Sequence, residues 1–383
     1  MAARKRKAVS EKVVDIKKST NELAETIKSC NTNYGKDTMV KASKIVRPGM
    51  VSTGIFLLDL CTLGGIPQSR ITQLSGPKHA AKTSITAKIL ASAQKMYPDQ
   101  VAVLVDTEQT SDPVWMEKLG VDIDRLQVAY CDTGEQAIDL TDALIRSKET
   151  SIVAMDSIAA LTSTKEIDAS VGDHLVAQQA GMITRMVKTM TSAFSEERRR
   201  GHRPVVLFTN QLRSDLNGFA RFGEATKVTG GKALGHHVSL NIVLKNKEIV
   251  GKDDFGTDVM VVNEHAFKIS KNKLCAGIRQ GEFRMFRYHD RESGLGEGDI
   301  DNAPTILVYS KRMGLYSGGG RSWTLTIDGK GWKFGKAAEA IAMLNEDKDL
   351  QWLLRNELLA LQASNLHMPQ EVINNIMSTP NVL

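Results

Sequence analysis

Short apolar segments alternate with helical patterns through the middle of the chain, from about residue 48 to about residue 275. Four of them are typical of buried strands. They are the run that begins at Ile71, then Val101–Val105, Ser151–Met155 and Val205–Asn210. Strands that alternate with helices favour a mostly parallel sheet with helices on both faces. The pattern therefore predicts an α/β fold.

The N-terminal segment has a different pattern. Residues 1–18 are typical of a basic disordered tail, whereas Leu23 and Ile27 give Thr20–Cys30 an apolar helical stripe. That stripe needs a partner, either within its own domain or on another protein chain. We therefore assign residues 19–47 to an N-terminal helix with a linker.

The C-terminal segment changes pattern again. From Gly281 onward, short strands and turns precede two helical stretches, Gly335–Leu344 and Leu350–Leu361. The polar, glycine-containing segment Asp290–Asn302 is expected to be a surface insertion. We therefore divide the remainder of the chain into a core, residues 48–280, and a C-terminal region, residues 281–383.

The first predicted strand runs into a glycine-containing loop that ends in Lys82 and Thr83, followed by a predicted helix, Ser84–Lys95. Such a loop holds phosphate oxygens on backbone N–H groups, while the lysine reaches the β- and γ-phosphates and the hydroxyl binds Mg²⁺. One position departs from the usual pattern, because Ala81 replaces its second glycine. We expect an ordinary helical φ at Ala81, where a methyl group costs little. Without its context, the motif is also compatible with a chance match or a turn that binds nothing.

Carboxylates follow two of the other strands. Asp106 and Glu108 come after Val101–Val105, and Asp156 comes after Ser151–Met155. Ligands of an open parallel sheet bind at the carboxyl ends of the strands, so these side chains are expected beside the phosphate loop. Asp156 suits Mg²⁺ coordination through a water, and Glu108 suits activation of the water that attacks the γ-phosphate. Taken singly, such carboxylates are more often helix caps or turn residues.

Two polar loops are candidates for contact with DNA, Glu166–Asp173 and Arg213–Gly231. Long loops in a compact α/β core are more often functional than idle. The second loop combines basic side chains for phosphates, apolar side chains for bases and glycines for a close backbone approach. These residues are Arg213, Leu216, Phe219, Arg221, Phe222, Lys227, Gly230, Gly231 and the adjacent Lys232. The alternative is a surface loop with incidental charge.

Composition adds little to this picture. The formal net charge is +6, and +5 of it belongs to residues 1–18, so any contact with DNA phosphates must come from local clusters. No apolar run approaches the length of a membrane span, and the first residues lack the apolar segment of a signal peptide, so a cytoplasmic protein is expected. The four cysteines are spaced too widely for a metal site and are expected to be reduced packing residues.

The order of these motifs resembles the bacterial RecA recombinase family from about Asn33 to about Leu359. The matching segments are Val51–Gly54, Leu57–Leu60, Gly76–Pro77, Lys82–Thr83, Asp112–Pro113, Lys118–Asp124, Asp132–Ala137, Asp156–Leu161, Asn210–Arg213, Thr229–Gly231 and Lys271–Lys273. The resemblance implies a RecA-type ATPase core, an N-terminal helix that docks on the next protomer and a small C-terminal α/β domain. It also implies an ATP- and Mg²⁺-dependent filament on single-stranded DNA that pairs with homologous double-stranded DNA and exchanges strands.

The resemblance further implies roles for individual residues. Gln211 would sense the γ-phosphate, while Lys271 and Lys273 would reach the ATP of the next protomer. Asp112 and Trp115 would hold the adenine, and Lys188 and Lys268 would contact DNA. The implied catalytic set is Lys82, Glu108, Gln211, Lys271 and Lys273. The implied nucleotide-binding set is Gly76, Pro77, Lys78, His79, Ala80, Ala81, Lys82, Thr83, Ser84, Asp112, Trp115 and Asp156.

The chain also departs from the family pattern. Besides Ala81, the pair His236–His237 replaces aromatic residues at a place linked to protomer contacts, and Gly181 replaces a common arginine. These departures are typical of a divergent member. Two alternatives therefore stay open, a DNA-binding scaffold with little ATP turnover and a ring-forming ATPase or helicase of the same fold.

Overall fold

The computed structural model describes residues 21–167, 176–214, 226–228, 231–252, 258–290, 293–319, 322–327 and 329–383. Its strands are β1 (Met50–Val51), β2 (Ile66–Pro67), β3 (Ile71–Gly76), β4 (Val101–Asp106), β5 (Leu126–Ala129), β6 (Thr150–Asp156), β7 (Val205–Ser214), β8 (Thr226–Val228), β9 (Leu240–Lys252), β10 (Asp258–Asn272), β11 (Gln280–Phe286), β12 (Tyr316–Gly319), β13 (Ser322–Ile327) and β14 (Lys330–Phe334). Its helices are α1 (residues 21–34), α2 (Phe56–Thr62), α3 (Lys82–Met96), α4 (Pro113–Lys118), α5 (Gly134–Arg146), α6 (Thr164–Ile167), α7 (Val176–Arg199), α8 (Gly231–His237), α9 (Ala303–Arg312), α10 (Ala337–Glu346), α11 (Lys348–Asn365) and α12 (Gln370–Met377).

The main sheet has the strand order β11-β10-β9-β3-β7-β6-β4-β5, and β8 pairs with β7. The strands from β9 to β5 in this order are parallel, whereas β10 and β11 are antiparallel to their neighbours. The α/β prediction of a mostly parallel sheet is therefore confirmed. The antiparallel strand β11 lies beyond the expected border after residue 280, so pairing in the main sheet continues past that border.

Successive residues of the central strands bury opposite faces of the sheet, as the two-residue period of a strand requires. In β7, Val205 and Leu207 pack in the cluster that contains α3, while Val206 and Phe208 pack in the cluster that contains α5 and α7. Because both faces are covered, the strand sequences read as continuous apolar runs. No helix in the described part of the chain combines the length and apolar character that a membrane span requires.

The chain divides into two compact units. One comprises residues up to Arg47 together with Glu196–His202, and the other comprises Pro48–Ser195 with Arg203–Leu383. In the first unit, α1 covers the predicted helix and continues four residues past Cys30. Large apolar side chains of this unit are exposed in the single chain: Leu23, Tyr34, Met39, Val40, Ile45 and Val46.

The C-terminal region places α9 to α12 and the small antiparallel sheet β12-β13-β14 around a third apolar cluster. Phe56, Leu60 and Leu63 belong to the same cluster, so the C-terminal helices pack directly on α2. The two predicted helices are present as α10 and α11, with slightly different ends. The helices α9 and α12 were not predicted from the sequence.

The expectation that Asp290–Asn302 forms a surface insertion is wrong for its described part. Leu295 and Ile300 are buried, and Asn302 is 5% exposed. The Asn302 amide accepts a hydrogen bond from the Phe56 N–H at 2.9 Å and donates one to the Gly54 carbonyl at 2.9 Å. It thus satisfies a free backbone N–H at the start of α2, which explains why a polar residue is buried there.

A buried ion pair joins α11 to α2. The Arg355 guanidinium donates to Asp59 Oδ2 through one terminal nitrogen at 2.6 Å and through Nε at 3.1 Å. Asp59 is fully buried and also accepts hydrogen bonds from Ser52 Oγ and from the Thr53 hydroxyl and N–H. The carboxylate is therefore saturated with donors, and Arg355 supplies the compensating charge.

We predict that Arg355→Ala lowers the free energy of unfolding by about 3–5 kcal/mol, because it leaves the Asp59 carboxylate buried without its counter-ion. Urea denaturation is the measurement. Arg284→Ala is the control, because Arg284 is 53% exposed in its pair with Glu264. Its loss should cost less than about 1 kcal/mol. Equal losses in the two variants would contradict the prediction.

Candidate nucleotide site

The carboxyl ends of four parallel strands meet at one edge of the sheet. Gly76 of β3 pairs with Gln211 of β7, and Asp106 of β4 pairs with Asp156 of β6. A cavity of about 520 Å³ lies at this edge. Its walls are formed by Lys78, His79, Ala80, Ala81, Lys82, Thr83, Ser84, Glu108, Thr110, Asp156, Gln211, Asn246, Asn263 and Arg287. The structure thus brings the phosphate loop and both candidate carboxylates together.

The loop between β3 and α3 is tightly folded. A Cβ on Gly76 would lie 3.0 Å from both the Ala80 Cβ and the Leu244 carbonyl oxygen, which explains the glycine. Lys82 begins α3, two residues before the expected start, and its Nζ donates to the carbonyls of Gly76 at 3.2 Å and Pro77 at 2.8 Å. Burial lowers the pKa of Lys82, while the carboxylates of Asp156 and Glu108 oppose that shift.

Ala81 does not have the expected helical φ. Its φ is 59° and its ψ is 24°, which is the left-handed region, and His79 has a φ of 63°. The expectation was wrong because Ala81 is the cap residue that precedes α3, so the chain must turn there. For a residue with a Cβ this conformation costs roughly 1–2 kcal/mol. The methyl group is 8% exposed and packs in the apolar cluster beneath the loop, which offsets part of that cost.

Asp156 joins the loop to the neighbouring strand. Its Oδ2 accepts a hydrogen bond from Thr83 Oγ1 at 2.6 Å, and its Oδ1 accepts one from Thr209 Oγ1. Burial raises the pKa of Asp156, while both hydroxyl donors and Lys82 oppose the shift. A hydroxyl and a carboxylate in contact are suitable oxygen groups for Mg²⁺, which is usually held by one or two carboxylates together with substrate phosphates.

Other ligands for a metal are scarce. Across the described residues, no group of three or more His, Cys, Asp or Glu side chains is placed to hold a metal ion. A divalent cation at Thr83 and Asp156 would therefore need oxygens from a bound phosphate and from water. The four cysteines are free thiols.

Glu108 is held at the mouth of the cavity by two donors. Ser157 Oγ donates to Glu108 Oε1 at 2.5 Å, and Gln211 Nε2 donates to the same oxygen at 3.2 Å. Ser157 is fully buried, and its carbonyl accepts from Thr107 Oγ1 at 2.7 Å, so it is itself fixed. The sequence indicated Glu108 and Gln211 but gave Ser157 no role. Its position directly after Asp156 was the available signal.

A polar wall completes the cavity on the side of β9, β10 and β11, and the sequence analysis missed it. Within the described part of the chain, Asn246 Oδ1, Asn263 Oδ1 and Arg287 Nε are buried and have no hydrogen-bond partner. The Arg287 guanidinium lies 4.6 Å from the centre of the Trp115 ring. Buried polar atoms are rarely left unpaired, so this wall is suited to a polar ligand.

His265 lies behind that wall on β10. It is fully buried, and its ring is tilted by 32° against that of Phe283, with 5.1 Å between the ring centres. Burial lowers the pKa of His265 to about 4, with a smaller effect from Arg287. The imidazole is therefore neutral near pH 7.

The residues expected to hold the adenine do not line the cavity. Asp112 caps α4, where its Oδ1 accepts from the Val114 N–H at 3.0 Å. Trp115 donates from Nε1 to Ser84 Oγ at 3.2 Å, which places it directly behind a residue of the cavity wall. Their roles in base recognition stay predictions.

Lys271 and Lys273 lie away from the cavity of their own chain. Both ammonium groups donate to carbonyl oxygens at the C-terminal end of α8. Lys271 Nζ contacts the oxygens of Gly235 at 2.5 Å and His236 at 3.1 Å, and Lys273 Nζ contacts that of His236 at 2.9 Å. Burial lowers the pKa of Lys271, and the charge of Lys273 adds to that effect.

The candidate DNA-binding residues are only partly described. Leu216, Phe219, Arg221, Phe222 and Gly230 lie outside the described residues, as do residues 168–173 of the first loop. Arg213 and Lys227 are paired in register in the antiparallel β7–β8 ladder, so a pair of strands lies within the segment assigned to the second loop. Gly231 and Lys232 begin α8. Lys188 on α7 and Lys268 on β10 are exposed.

We predict that Ala81→Gly changes the free energy of unfolding by less than about 1 kcal/mol. The glycine relieves roughly 1–2 kcal/mol of left-handed strain but loses the buried methyl and gains freedom in the unfolded chain, worth about 0.4–1 kcal/mol. Urea denaturation is the measurement. Ala87→Gly is the matched control inside α3, where glycine should destabilise by about 1 kcal/mol or more. Equal losses at the two positions would show that Ala81 carries no strain.

Most of the chain matches known proteins. A model of the RecA N-terminal domain matches residues 21–290. The chain is 32% identical over 300 residues to Protein RecA of Chloroflexus aurantiacus, covering 77% of this chain and 80% of that protein. It is 33% identical over 298 residues to Protein RecA of Marinobacter nauticus, covering 75% and 82%. It is 36% identical over 266 residues to Protein RecA of Symbiobacterium thermophilum, covering 68% and 72%. With the phosphate loop and the sheet order already in place, these matches show that the chain belongs to the RecA family.

Proposed function

We propose that this chain is an ATP-dependent DNA recombinase that forms a filament on single-stranded DNA, pairs it with homologous double-stranded DNA and exchanges strands. The observation that carries the proposal is the meeting of Lys82, Thr83, Glu108, Asp156 and Gln211 at one cavity. Membership of the RecA family supports the same function. A cytoplasmic location is the prediction of the sequence and stays one.

Hydrolysis of ATP is proposed to use the groups of this cavity as follows. The loop N–H groups and Lys82 bind the phosphates, and Lys82 exchanges its contacts with Gly76 and Pro77 for phosphate oxygens. Thr83, and Asp156 through a water, would hold Mg²⁺, which would supply positive charge to neutralise the phosphates. Glu108, fixed by Ser157, orients a water and accepts its proton.

A direct structural link supports coupling between ATP and DNA. Gln211 contacts Glu108 in the cavity. Arg213 lies two residues further along β7, at the start of the second loop, and pairs with Lys227 of the same loop. A change in the γ-phosphate contact of Gln211 would therefore reach the loop through continuous strand backbone. Coupling between two sites needs such a shared element.

Assembly into a filament is supported by surfaces that the single chain leaves uncovered. The N-terminal unit exposes Met39 and Val40, which are 43% and 42% exposed. In the other unit, β5 is an edge strand of the main sheet, and its Val128 and the following Tyr130 are exposed. Apolar residues and an unpaired strand edge favour association between chains. In such a filament, Lys271 and Lys273 would reach the ATP of the next protomer, as the family resemblance implies.

One observation favours the alternative of a scaffold with little turnover. Ala81 keeps a left-handed conformation with a methyl group in the phosphate loop, where glycine is usual. The hydrogen bonds of Glu108 and Asp156 favour a working ATPase instead, because such contacts fix the groups that hydrolysis requires. The other alternative is a ring-forming ATPase or helicase. Negative-stain microscopy with single-stranded DNA and a slowly hydrolysed ATP analogue separates filaments from such rings.

We predict that Glu108→Gln lowers DNA-stimulated phosphate release by about two orders of magnitude or more, because an amide cannot accept the proton of water. ATP-dependent filaments should persist longer than in the wild type. Lys82→Ala should lose both nucleotide affinity and filaments. Glu149→Gln, on the exposed turn at the other edge of the sheet, is the control and should behave as the wild type. Normal phosphate release by Glu108→Gln would remove that residue from the catalytic role.

We predict that Arg213→Ala and Lys227→Ala weaken binding to single-stranded DNA of every sequence and flatten its salt dependence. Each lost phosphate contact should reduce the slope of log affinity against log salt by about 0.7. Fluorescence anisotropy at several salt concentrations is the measurement. Lys148→Ala, on an exposed turn that precedes β6 at the far edge of the sheet, is the matched control. Slopes equal to the wild type in all three variants would show that the β7–β8 hairpin does not touch DNA.

A further inference from the structure

A second cleft lies along α3, away from the phosphate loop. It has a volume of about 180 Å³ and is bounded by α3, the end of α4, residues 299–302, the start of α11 and residues 382–383. Lys88 and Lys95 of α3 line it, six and thirteen residues after Lys82. At 1.5 Å per residue these positions are about 9 and 20 Å further along the helix. The cleft is therefore separate from the nucleotide cavity.

Two further lysines, Lys118 and Lys348, also line the cleft. Two of the four have partners. Lys95 Nζ donates to the backbone oxygens of Val382 at 3.0 Å and Leu383 at 3.3 Å. Lys118 forms an ion pair with Glu297.

The ammonium groups of the remaining pair, Lys88 and Lys348, make no hydrogen bond or ion pair with any residue that the structure describes. Both side chains are only partly exposed. An ammonium taken out of water without a partner is costly, so this arrangement favours an external counter-ion.

The acidic side chain in the cleft does not neutralise this pair. Asp299 lines the cleft and attracts Lys88, but the two form no ion pair within 4 Å. One Asp299 oxygen already accepts a hydrogen bond from the Gly296 N–H at 2.8 Å. Asp301 attracts Lys348, but these two also form no ion pair within 4 Å. Among the described side chains that line the cleft, four lysines face one carboxylate, that of Asp299. Ser92, which is buried at the same wall, adds a hydroxyl donor.

We propose that this cleft is a binding site for a phosphate group, with Lys88 and Lys348 as its charge partners and Ser92 as a neutral donor. A phosphate monoester carries about −1.5 to −2 charges at pH 7 and offers three strong acceptor oxygens, which matches two ammonium groups and a hydroxyl. The volume admits a phosphate group but is about a third of the nucleotide cavity. The ligand is therefore inorganic phosphate or the phosphate end of a molecule that extends into solvent.

The titration of Lys88 is in accord with this geometry. The pKa of Lys88 is lowered to about 8, mainly by burial; Asp299 opposes the shift, and Lys95 and Lys348 contribute to it. A bound anion stabilises the charged ammonium, so binding takes up a proton near pH 8 and weakens as the pH rises through that value. The charged groups around Lys88 on neighbouring elements are Lys95, Lys118, Glu297, Asp299, Lys348 and the terminal carboxylate of Leu383, and Asp301 attracts Lys348 from the same segment as Asp299.

Isothermal titration of sulfate and phosphate into the full chain tests the proposal, with the nucleotide cavity first saturated with ADP and Mg²⁺. We expect one anion per chain, and we expect its affinity to fall at least tenfold in Lys88→Met and in Lys348→Met. Methionine keeps the apolar stem and removes only the charge. Lys333→Met, on exposed β14, is the matched control and should bind as the wild type.

The pH dependence supplies a second readout. Sulfate keeps its charge between pH 7 and pH 9, whereas a lysine with a pKa of about 8 goes from about nine-tenths to about one-tenth protonated. The sulfate affinity of the wild type should therefore fall about tenfold over this range. Lys88→Met should lose that dependence.

Adenosine monophosphate identifies the source of the phosphate group. Competition between it and sulfate in the ADP-saturated chain would assign the cleft to a phosphomonoester, and binding of phosphate alone would assign it to the inorganic ion. Lys88→Met should also unfold at a higher temperature than the wild type in anion-free buffer, because it removes a buried charge, so failure to fold is not expected to obscure the result. Absence of sulfate binding to the ADP-saturated wild type, or equal affinity in Lys88→Met, would overturn the proposal.

Discussion

The candidate site depends on one constraint, the parallel pairing of β3, β7, β6 and β4. Parallel strands end at the same edge of a sheet, so each strand delivers its following residues to one place. Pairing of Gly76 with Gln211 and of Asp106 with Asp156 fixes the relative depth of four segments that lie far apart in sequence. A slip of two residues in either pair would keep the apolar faces buried but would separate the chemical groups. The strand register therefore determines the geometry of the site as well as the fold.

Much of this arrangement could be predicted because its signals are local. The central strands contain short apolar runs, and these runs end beside the residues that carry the chemistry, as Val101–Val105 ends before Asp106 and Glu108. The rule for strand ends then places Glu108 and Asp156 beside the phosphate loop without any knowledge of long-range contacts. The fold class and the position of the site follow from such local patterns. The catalytic roles of Glu108 and Asp156 do not follow from these patterns, and they stay predictions.

The rest could not be predicted because it depends on pairing between distant segments. Asn246 and Asn263 are polar residues in strands that look ordinary in sequence, and only the antiparallel pairing of β9, β10 and β11 turns them toward the cavity with Arg287. The left-handed φ of Ala81 is set by the turn into α3 and is invisible in composition. Asn302 was read as part of a surface segment because its partner Phe56 is 246 residues away.

The contacts of Lys271 and Lys273 connect their proposed contact with the ATP of the next protomer to the second loop. In the single chain both ammonium groups neutralise the negative C-terminal end of α8, and α8 begins where the second loop ends. To reach the phosphate of a neighbouring chain, as the proposed function requires, they must leave those carbonyls. A shift of α8 that follows a change in the loop would alter how strongly it holds the lysines. DNA contact and the ATP of the next protomer would then compete for the same two charges.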